Sequence, residues 1–209
     1  TYIRHTITTA STIWMILFVI FKLFLVSLYQ NPSAIPPSFT DPKMLKTHIA
    51  TQIYAKICFN TTSGQKKIIE SLSEYLSESD PAAIFVLNGY AGTGKTTLIA
   101  ALVGALKDCG IKPVLLAPTG RAAKVLSRYS GEPALTIHKR IYRQRTNADY
   151  ESKFSLNINP ERGAVFIVDE ASMLSDNTQG GAVFGSGSLL SDLVEYVRSG
   201  RGCRLVLVG

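Results

Sequence analysis

Gly89-Tyr90-Ala91-Gly92-Thr93-Gly94-Lys95-Thr96 fits the spacing G-x-x-x-x-G-K-[ST], in which a glycine-rich turn cradles phosphate oxygens. Where the chain carries no side chain, successive backbone N–H groups can converge on an anion. A helix opening near Lys95 adds the positive end of its dipole. In such a loop the Lys95 ammonium reaches the β- and γ-phosphates and the Thr96 hydroxyl sits on Mg²⁺. Gly89, Ala91, Gly92, Thr93, Gly94, Lys95, Thr96 and Thr97 are therefore expected to hold a nucleoside triphosphate. A plain glycine-rich turn is the bland alternative. Against it stand the flanks, apolar Ala83-Ile84-Phe85-Val86-Leu87 before the loop and Leu98-Ile99-Ala100-Ala101-Leu102-Val103 after it, which supply the strand–loop–helix context.

A second chemical signal lies further on. Ala164-Val165-Phe166-Ile167-Val168 reads as a buried strand and ends in Asp169-Glu170. An acid pair at such an exit is costly to desolvate unless it has a cation to hold. Asp169 is expected to bind Mg²⁺ together with Thr96, directly or through water. Glu170 is expected to orient and deprotonate an attacking water. Lys95, Asp169 and Glu170 are thus the candidate catalytic residues.

These groups need a scaffold, and the hydrophobic pattern supplies one. Gly64 to Ser77 places Ile68, Ile69, Leu72, Tyr75 and Leu76 on one helical face. Thr62-x-x-Gln65 at its start fits a capping box. Asp80-Pro81 breaks that helix, and Asp108-Cys109-Gly110 stops the helix after the phosphate loop. Pro113 to Ala117 reads as a strand, Gly120 to Tyr129 as a helix, Leu189 to Val197 as a short helix and Arg204 to Val208 as another buried strand. Phe154, Leu156 and Ile158 alternate and suggest a small hairpin outside the main sheet; Ser175 to Ser188 is a Gly/Ser/Asn loop. Strands alternating with helices predict an α/β fold with a mostly parallel sheet flanked by helices.

The chain has 209 residues and a formal charge of +7, a balance that suits a polyanionic partner without requiring one. The charge is concentrated. Arg121, Lys124, Arg128, Lys139, Arg140, Arg143 and Arg145 face a single acid, Glu132, and Tyr129 and Tyr142 are interleaved. Such a cluster could neutralise phosphates, with Arg121 and Lys124 as contacts and the aromatics stacking on bases. A solvated basic face is the alternative. Position favours binding, because ligands of open parallel sheets lie beyond the carboxyl ends of the strands, and Ala117-Pro118-Thr119-Gly120 is such an end.

Cys58, Cys109 and Cys203 show no metal or redox spacing and read as reduced thiols of a cytoplasmic protein. Ile13 to Tyr29 is nearly all apolar but carries Lys22 near its centre, which costs about 2.5–3.5 kcal/mol on insertion scales. A membrane anchor, a signal-like region and a segment outside the natural product compete for it. A Pro-rich spacer, Asn31 to Pro42, follows. The favoured reading divides the chain into 1–43, the apolar segment and linker, and 44–209, a single ATPase domain starting at Met44, with a membrane partner not expected.

Gly89–Thr96, APTGRAAKVLS (Ala117–Ser127), TIHKRIY (Thr136–Tyr142), VDEASM (Val168–Met173) and LVLVG (Leu205–Gly209), in that order, resemble superfamily-1 DNA helicases of the RecD-like branch. The resemblance implies a RecA-like P-loop NTPase fold, ATP and Mg²⁺ as cofactors, and single-stranded DNA as partner, with 5′ to 3′ polarity. It implies that Gln65 contacts adenine, a role beside the capping box. It also implies that Pro118, Thr119, Gly120, Arg121 and His138 line the DNA channel, although His138 alone reads as a packed or capping histidine. In that family the LVLVG strand continues into an acid and a glutamine, and a second RecA-like domain supplies an arginine finger. The resemblance thus implies a first motor domain, truncated at its C-terminal end. Two other classes fit part of the sequence: another P-loop ATPase acting on nucleic acid, or a non-catalytic membrane-tethered nucleotide-binding fragment.

Overall fold

The computed structural model describes residues 42–57, 60–78, 80, 82–90, 92–145, 153–174 and 185–209. Apart from the first residues of the opening helix, these lie in one unit, Leu45–Gly209. The apolar segment 13–29, Cys58, Ala91 and most of the 175–188 loop fall outside the described residues. Among the described residues, no helix is long and apolar enough to cross a membrane.

Five parallel strands form the sheet: β1 (Phe85–Leu87), β2 (Pro113–Ala117), β3 (Ala134–Thr136), β6 (Val165–Val168) and β7 (Arg204–Val208), in the order β1-β7-β6-β2-β3. Its central strands are apolar on both faces, as a doubly covered parallel sheet requires. The two faces take alternate residues. Val165, Ile167, Val206, Leu115 and Ala117 join a core with α1 (Pro42–Lys56), α2 (Ser63–Ser77), α3 (Lys95–Asp108) and α4 (Gly120–Ser130). Phe166, Val168, Leu205, Val114 and Leu116 join the opposite core with α5 (Ile137–Ile141) and α6 (Leu189–Ser199). Each fully buried Val, Leu, Ile or Phe among these contributes about 1.5–3 kcal/mol. The RecA-like α/β expectation is borne out.

Helix α1 was not foreseen. Pro42, placed at the end of a spacer by composition, instead occupies the first helical position, where its missing N–H costs nothing. Only Ile49 and Ile53 of this helix are fully buried, too sparse a stripe to announce a helix against its polar neighbours.

Strand β1 is shorter than the apolar run that predicted it, and Tyr75 explains why. The β1 ladder begins with Phe85 opposite Val206, so Leu205 has no strand partner on that side. The Tyr75 hydroxyl takes both bonds, donating to the Leu205 carbonyl at 2.9 Å and accepting its N–H at 3.0 Å. Arg204 adds a bond to the Tyr75 carbonyl at 2.7 Å, with its guanidinium 5.5 Å from the ring centroid. Helix α2 is thereby latched to the strand beside the phosphate loop.

The predicted hairpin exists, with a different partner. Strand β5 (Lys153–Leu156) pairs antiparallel with β4 (Tyr142–Arg145), outside the main sheet, while Ile158 lies beyond it and exposed. The basic run Tyr142–Arg145 reads as a surface patch by charge, yet its backbone builds a strand.

Candidate active site

Four chain segments converge at the carboxyl edge of the sheet: the phosphate loop after β1, Pro118 after β2, Asp169-Glu170 after β6, and Gly209 after β7. Because β7 lies between β1 and β6, Gly209 sits between the loop and the acid pair. The Gly89 N–H donates to the Gly209 carbonyl and the Gly209 N–H to the Leu87 carbonyl, both at 3.0 Å. A Cβ at Gly209 would meet the Ser172 backbone nitrogen at 3.0 Å, so a side chain there would press on the turn after the acid pair. A cleft of about 560 Å³ opens here, lined by Gly89, Tyr90, Gly92, Gly94, Lys95 and Thr96 on one side and by Asp169, Glu170, Ser172 and Gly209 on the other. A shallower groove along α6, lined by Leu190, Val194, Glu195 and Arg198, lies away from these groups.

The loop has the conformation that its glycines permit. Gly92 and Gly94 hold φ of 82° and 88°, and Gly94 is the N-cap of α3. The Thr93 hydroxyl closes the turn on the Tyr90 carbonyl at 2.8 Å. The Lys95 ammonium folds over its own loop, donating to the carbonyls of Gly89 and Tyr90, the latter at 3.1 Å. Thr96 and Thr97 are exposed at the start of α3.

Gln65 combines two contacts. The capping box is formed, with the Thr62 N–H donating to Gln65 Oε1 at 3.0 Å and the Gln65 N–H to Thr62 Oγ1 at 3.2 Å. Its Nε2 points to the phosphate loop, 3.4 Å from the Thr93 carbonyl.

The acid pair is held on both carboxylate oxygens of Asp169. Oδ2 accepts from the Tyr129 hydroxyl at 2.5 Å and Oδ1 from the Glu170 N–H at 3.0 Å. Burial, that hydrogen bond and the two nearby carboxylates push the Tyr129 phenol far above its ordinary range. Glu170 has φ of 55°, the one positive value at a non-glycine among the described residues. Such a conformation costs on the order of 1–3 kcal/mol and concentrates at functional sites. Among the described residues no cluster of three His, Cys, Asp or Glu side chains could hold a metal. One hydroxyl (Thr96) and one carboxylate (Asp169) on a shared cleft nevertheless suit Mg²⁺, which keeps several waters and takes its other ligands from phosphates.

The expected nucleic-acid residues divide. Pro118, Thr119 and Gly120 lead into α4, with the Thr119 hydroxyl capping it by accepting the Ala122 N–H at 3.2 Å. Arg121, Lys124 and Arg128 are exposed on α4, and Val125 is exposed among them. His138 is half-buried on α5, its ring centroid 5.7 Å from that of Tyr142. Both aromatics read as base-stacking groups are otherwise engaged. Tyr142 is buried and donates to Asp192 at 2.6 Å, and Tyr129 is tied to Asp169. Arg140 also leaves the basic face, because Glu161 accepts from it at 2.6 Å and from Lys112 at 2.8 Å. Those cations, Lys112 first, hold the Glu161 carboxyl below its ordinary range against the opposing effect of burial. Sequence reasoning missed the Tyr129–Asp169 contact, and nothing in the local pattern marks it.

Comparison with known proteins agrees with this geometry. Residues 60–185 match the family described as an AAA domain. Over 115 residues the chain is 35% identical to the ATP-dependent DNA helicase dda of Enterobacteria phage T4, covering 54% of this chain and 26% of that protein. Over 146 residues it is 30% identical to the ATP-dependent RecD2 DNA helicase of Deinococcus radiodurans, covering 70% of this chain and 18% of that protein. The matched region thus spans about a quarter or less of either relative's length.

Proposed function

Because this chain belongs to the AAA domain family and is similar over part of its length to two DNA helicases, we propose that it is the ATP-hydrolysing motor domain of a DNA helicase of the RecD-like branch of superfamily 1. One observation carries the reading: the phosphate loop and the Asp169-Glu170 pair face each other across one cleft. The backbone N–H groups from Gly92 to Lys95 would bind the β- and γ-phosphates. The Lys95 ammonium would exchange the Gly89 and Tyr90 carbonyls for phosphate oxygens, a better match for its charge. Thr96 and Asp169 would hold Mg²⁺, which when bound neutralises charge on the phosphates. Glu170, fixed by its strained backbone, would orient the attacking water and accept its proton. The Gln65 amide would add adenine recognition beside its capping role.

Single-stranded DNA is the proposed partner, held on the exposed face of α4 by Arg121 and Lys124 with Pro118, Thr119, Gly120 and His138 along the same edge. A second RecA-like domain is the other proposed partner. It would close the cleft and contribute a cation to the transition state. Lys95 is the one basic side chain lining the cleft among the described residues.

Glu170→Gln separates binding from chemistry. It should keep ATP affinity within about twofold while lowering DNA-stimulated phosphate release at least 100-fold, the range that general-base catalysis supplies. Hydrolysis at the unaltered rate in the variant would refute the role of Glu170 and, with it, this cleft as the hydrolytic site.

A further inference from the structure

The contact between Tyr129 and Asp169 joins two parts of the molecule that the proposed function keeps separate. Tyr129 belongs to the last turn of α4, the helix whose outer face carries Arg121, Lys124 and Arg128, and its ring packs against the core. Asp169 lies 40 residues away at the exit of the central strand β6. An ionised carboxylate is an acceptor with two oxygens and about four lone-pair directions. Here each oxygen takes one donor, Tyr129 on Oδ2 and the Glu170 N–H on Oδ1, which fixes the carboxylate plane and leaves lone pairs free on the cleft side.

We propose that Tyr129 is a positioning residue that sets the orientation of the Asp169 carboxylate for Mg²⁺ and transmits displacement of helix α4 to the metal site. This rests on the reading of Asp169 as a metal ligand and of α4 as the DNA-facing helix. The reach is short. A shift of the helix by about 1 Å carries this hydroxyl–carboxylate contact beyond ordinary hydrogen-bond length. DNA held on the outer face of α4 therefore acts on the same rigid body that orients Asp169. Groups that orient a metal ligand from behind typically govern metal affinity by about 10–100-fold. Linkage then requires that DNA alter the Mg²⁺ requirement for nucleotide binding, and that Mg²⁺-nucleotide alter DNA affinity by the same factor.

The test uses the 209-residue chain and its Tyr129→Phe variant, which removes one hydroxyl and keeps the ring. A fluorescent ATP analogue is titrated without metal and at increasing Mg²⁺, each with and without an oligodeoxythymidylate. In the variant, the Mg²⁺ concentration giving half-maximal tightening should rise about tenfold and lose its dependence on DNA. Metal-free nucleotide affinity, DNA affinity without nucleotide and melting temperature should stay close to the parent values. An unchanged Mg²⁺ midpoint, or an equal loss in every binding measurement, would overturn the proposal, the second marking Tyr129 as a packing residue. Failure of the parent chain to bind nucleotide in a Mg²⁺-dependent way would instead overturn the functional reading beneath it.

Discussion

The side-chain amide of Gln65 lies 3.4 Å from the backbone carbonyl of Thr93 while its oxygen caps helix α2 through the Thr62 N–H. One side chain thus ties a helix start to the phosphate loop. Around it any side chain at Gly94 would be strained, because the backbone is left-handed and a Cβ would meet Gln65 Nε2 at 3.0 Å. Capping and the proposed adenine contact of Gln65 would use opposite ends of the amide.

Those two roles can be separated by Gln65→Glu. A glutamate keeps the acceptor that the capping box needs and suits the helix N-terminus, so melting temperature should shift by no more than about 2 °C, equivalent to roughly 0.5 kcal/mol for a domain of this size. The amide donor is lost, and with it preference for adenine. Competition between ATP and GTP for the cleft should show the ATP preference falling about tenfold, the value of one hydrogen-bond donor facing a base. A variant that melts early yet still prefers ATP would assign Gln65 to capping alone.

On helix α4, charge should be felt through salt. For single strands the log–log slope of affinity against salt is about −0.7 per phosphate neutralised. Arg121→Ala and Lys124→Ala should each flatten the slope by about that amount, whereas Arg140→Ala should leave it unchanged because Glu161 already engages that guanidinium. Fluorescence anisotropy of a labelled oligonucleotide between low and moderate salt reads all three. Equal effects from Arg140 and Arg121 would mean that the basic residues act as one diffuse face.

Glu161 makes a prediction about acid. Its carboxyl titrates below the ordinary value because Lys112 and Arg140 stabilise the charged form. A group with a depressed folded-state pKa contributes stability above its unfolded value and loses it as pH falls through the folded one. Glu161→Gln should therefore be less stable than the parent at pH 7, by about 1–2 kcal/mol given the mostly buried pair. The gap should narrow as pH falls below the unfolded carboxyl value and close only below the depressed folded-state value, where both forms carry a neutral side chain. Denaturant unfolding from pH 7 downward measures it, and a gap that does not narrow as pH falls would show that packing, not charge, is lost.

Much of this architecture was legible because its signals are local. The phosphate loop, the Asp169-Glu170 exit and strands Pro113–Ala117 and Arg204–Val208 are each written in consecutive residues, where apolar runs and glycine spacing act directly on the backbone. What escaped depended on distance. Strand β1 starts late because Tyr75, 130 residues from Leu205, occupies the bonds a longer strand would use. Tyr142–Arg145 looked like a DNA-facing patch because charge is visible in sequence, whereas pairing with Lys153–Leu156 is not. Tyr129 and Tyr142 looked free to stack on bases until Asp169 and Asp192 were brought within reach of their hydroxyls.

The central claim is that the cleft between the phosphate loop and the acid pair binds ATP with Mg²⁺, and Lys95→Ala tests it most directly. Among the described residues the ammonium bonds to the part-buried Gly89 carbonyl and the exposed Tyr90 carbonyl of its own loop, so its loss should leave circular dichroism and melting temperature near the parent values. Removing a charge-assisted contact to phosphate, worth about 1.5–3 kcal/mol or more in a partly buried site, should weaken MgATP binding by at least about 10–100-fold. Calorimetric titration of MgATP into both proteins gives the answer. Lost binding in a folded variant is the predicted result. Unchanged affinity in a folded variant would contradict the assignment of this cleft.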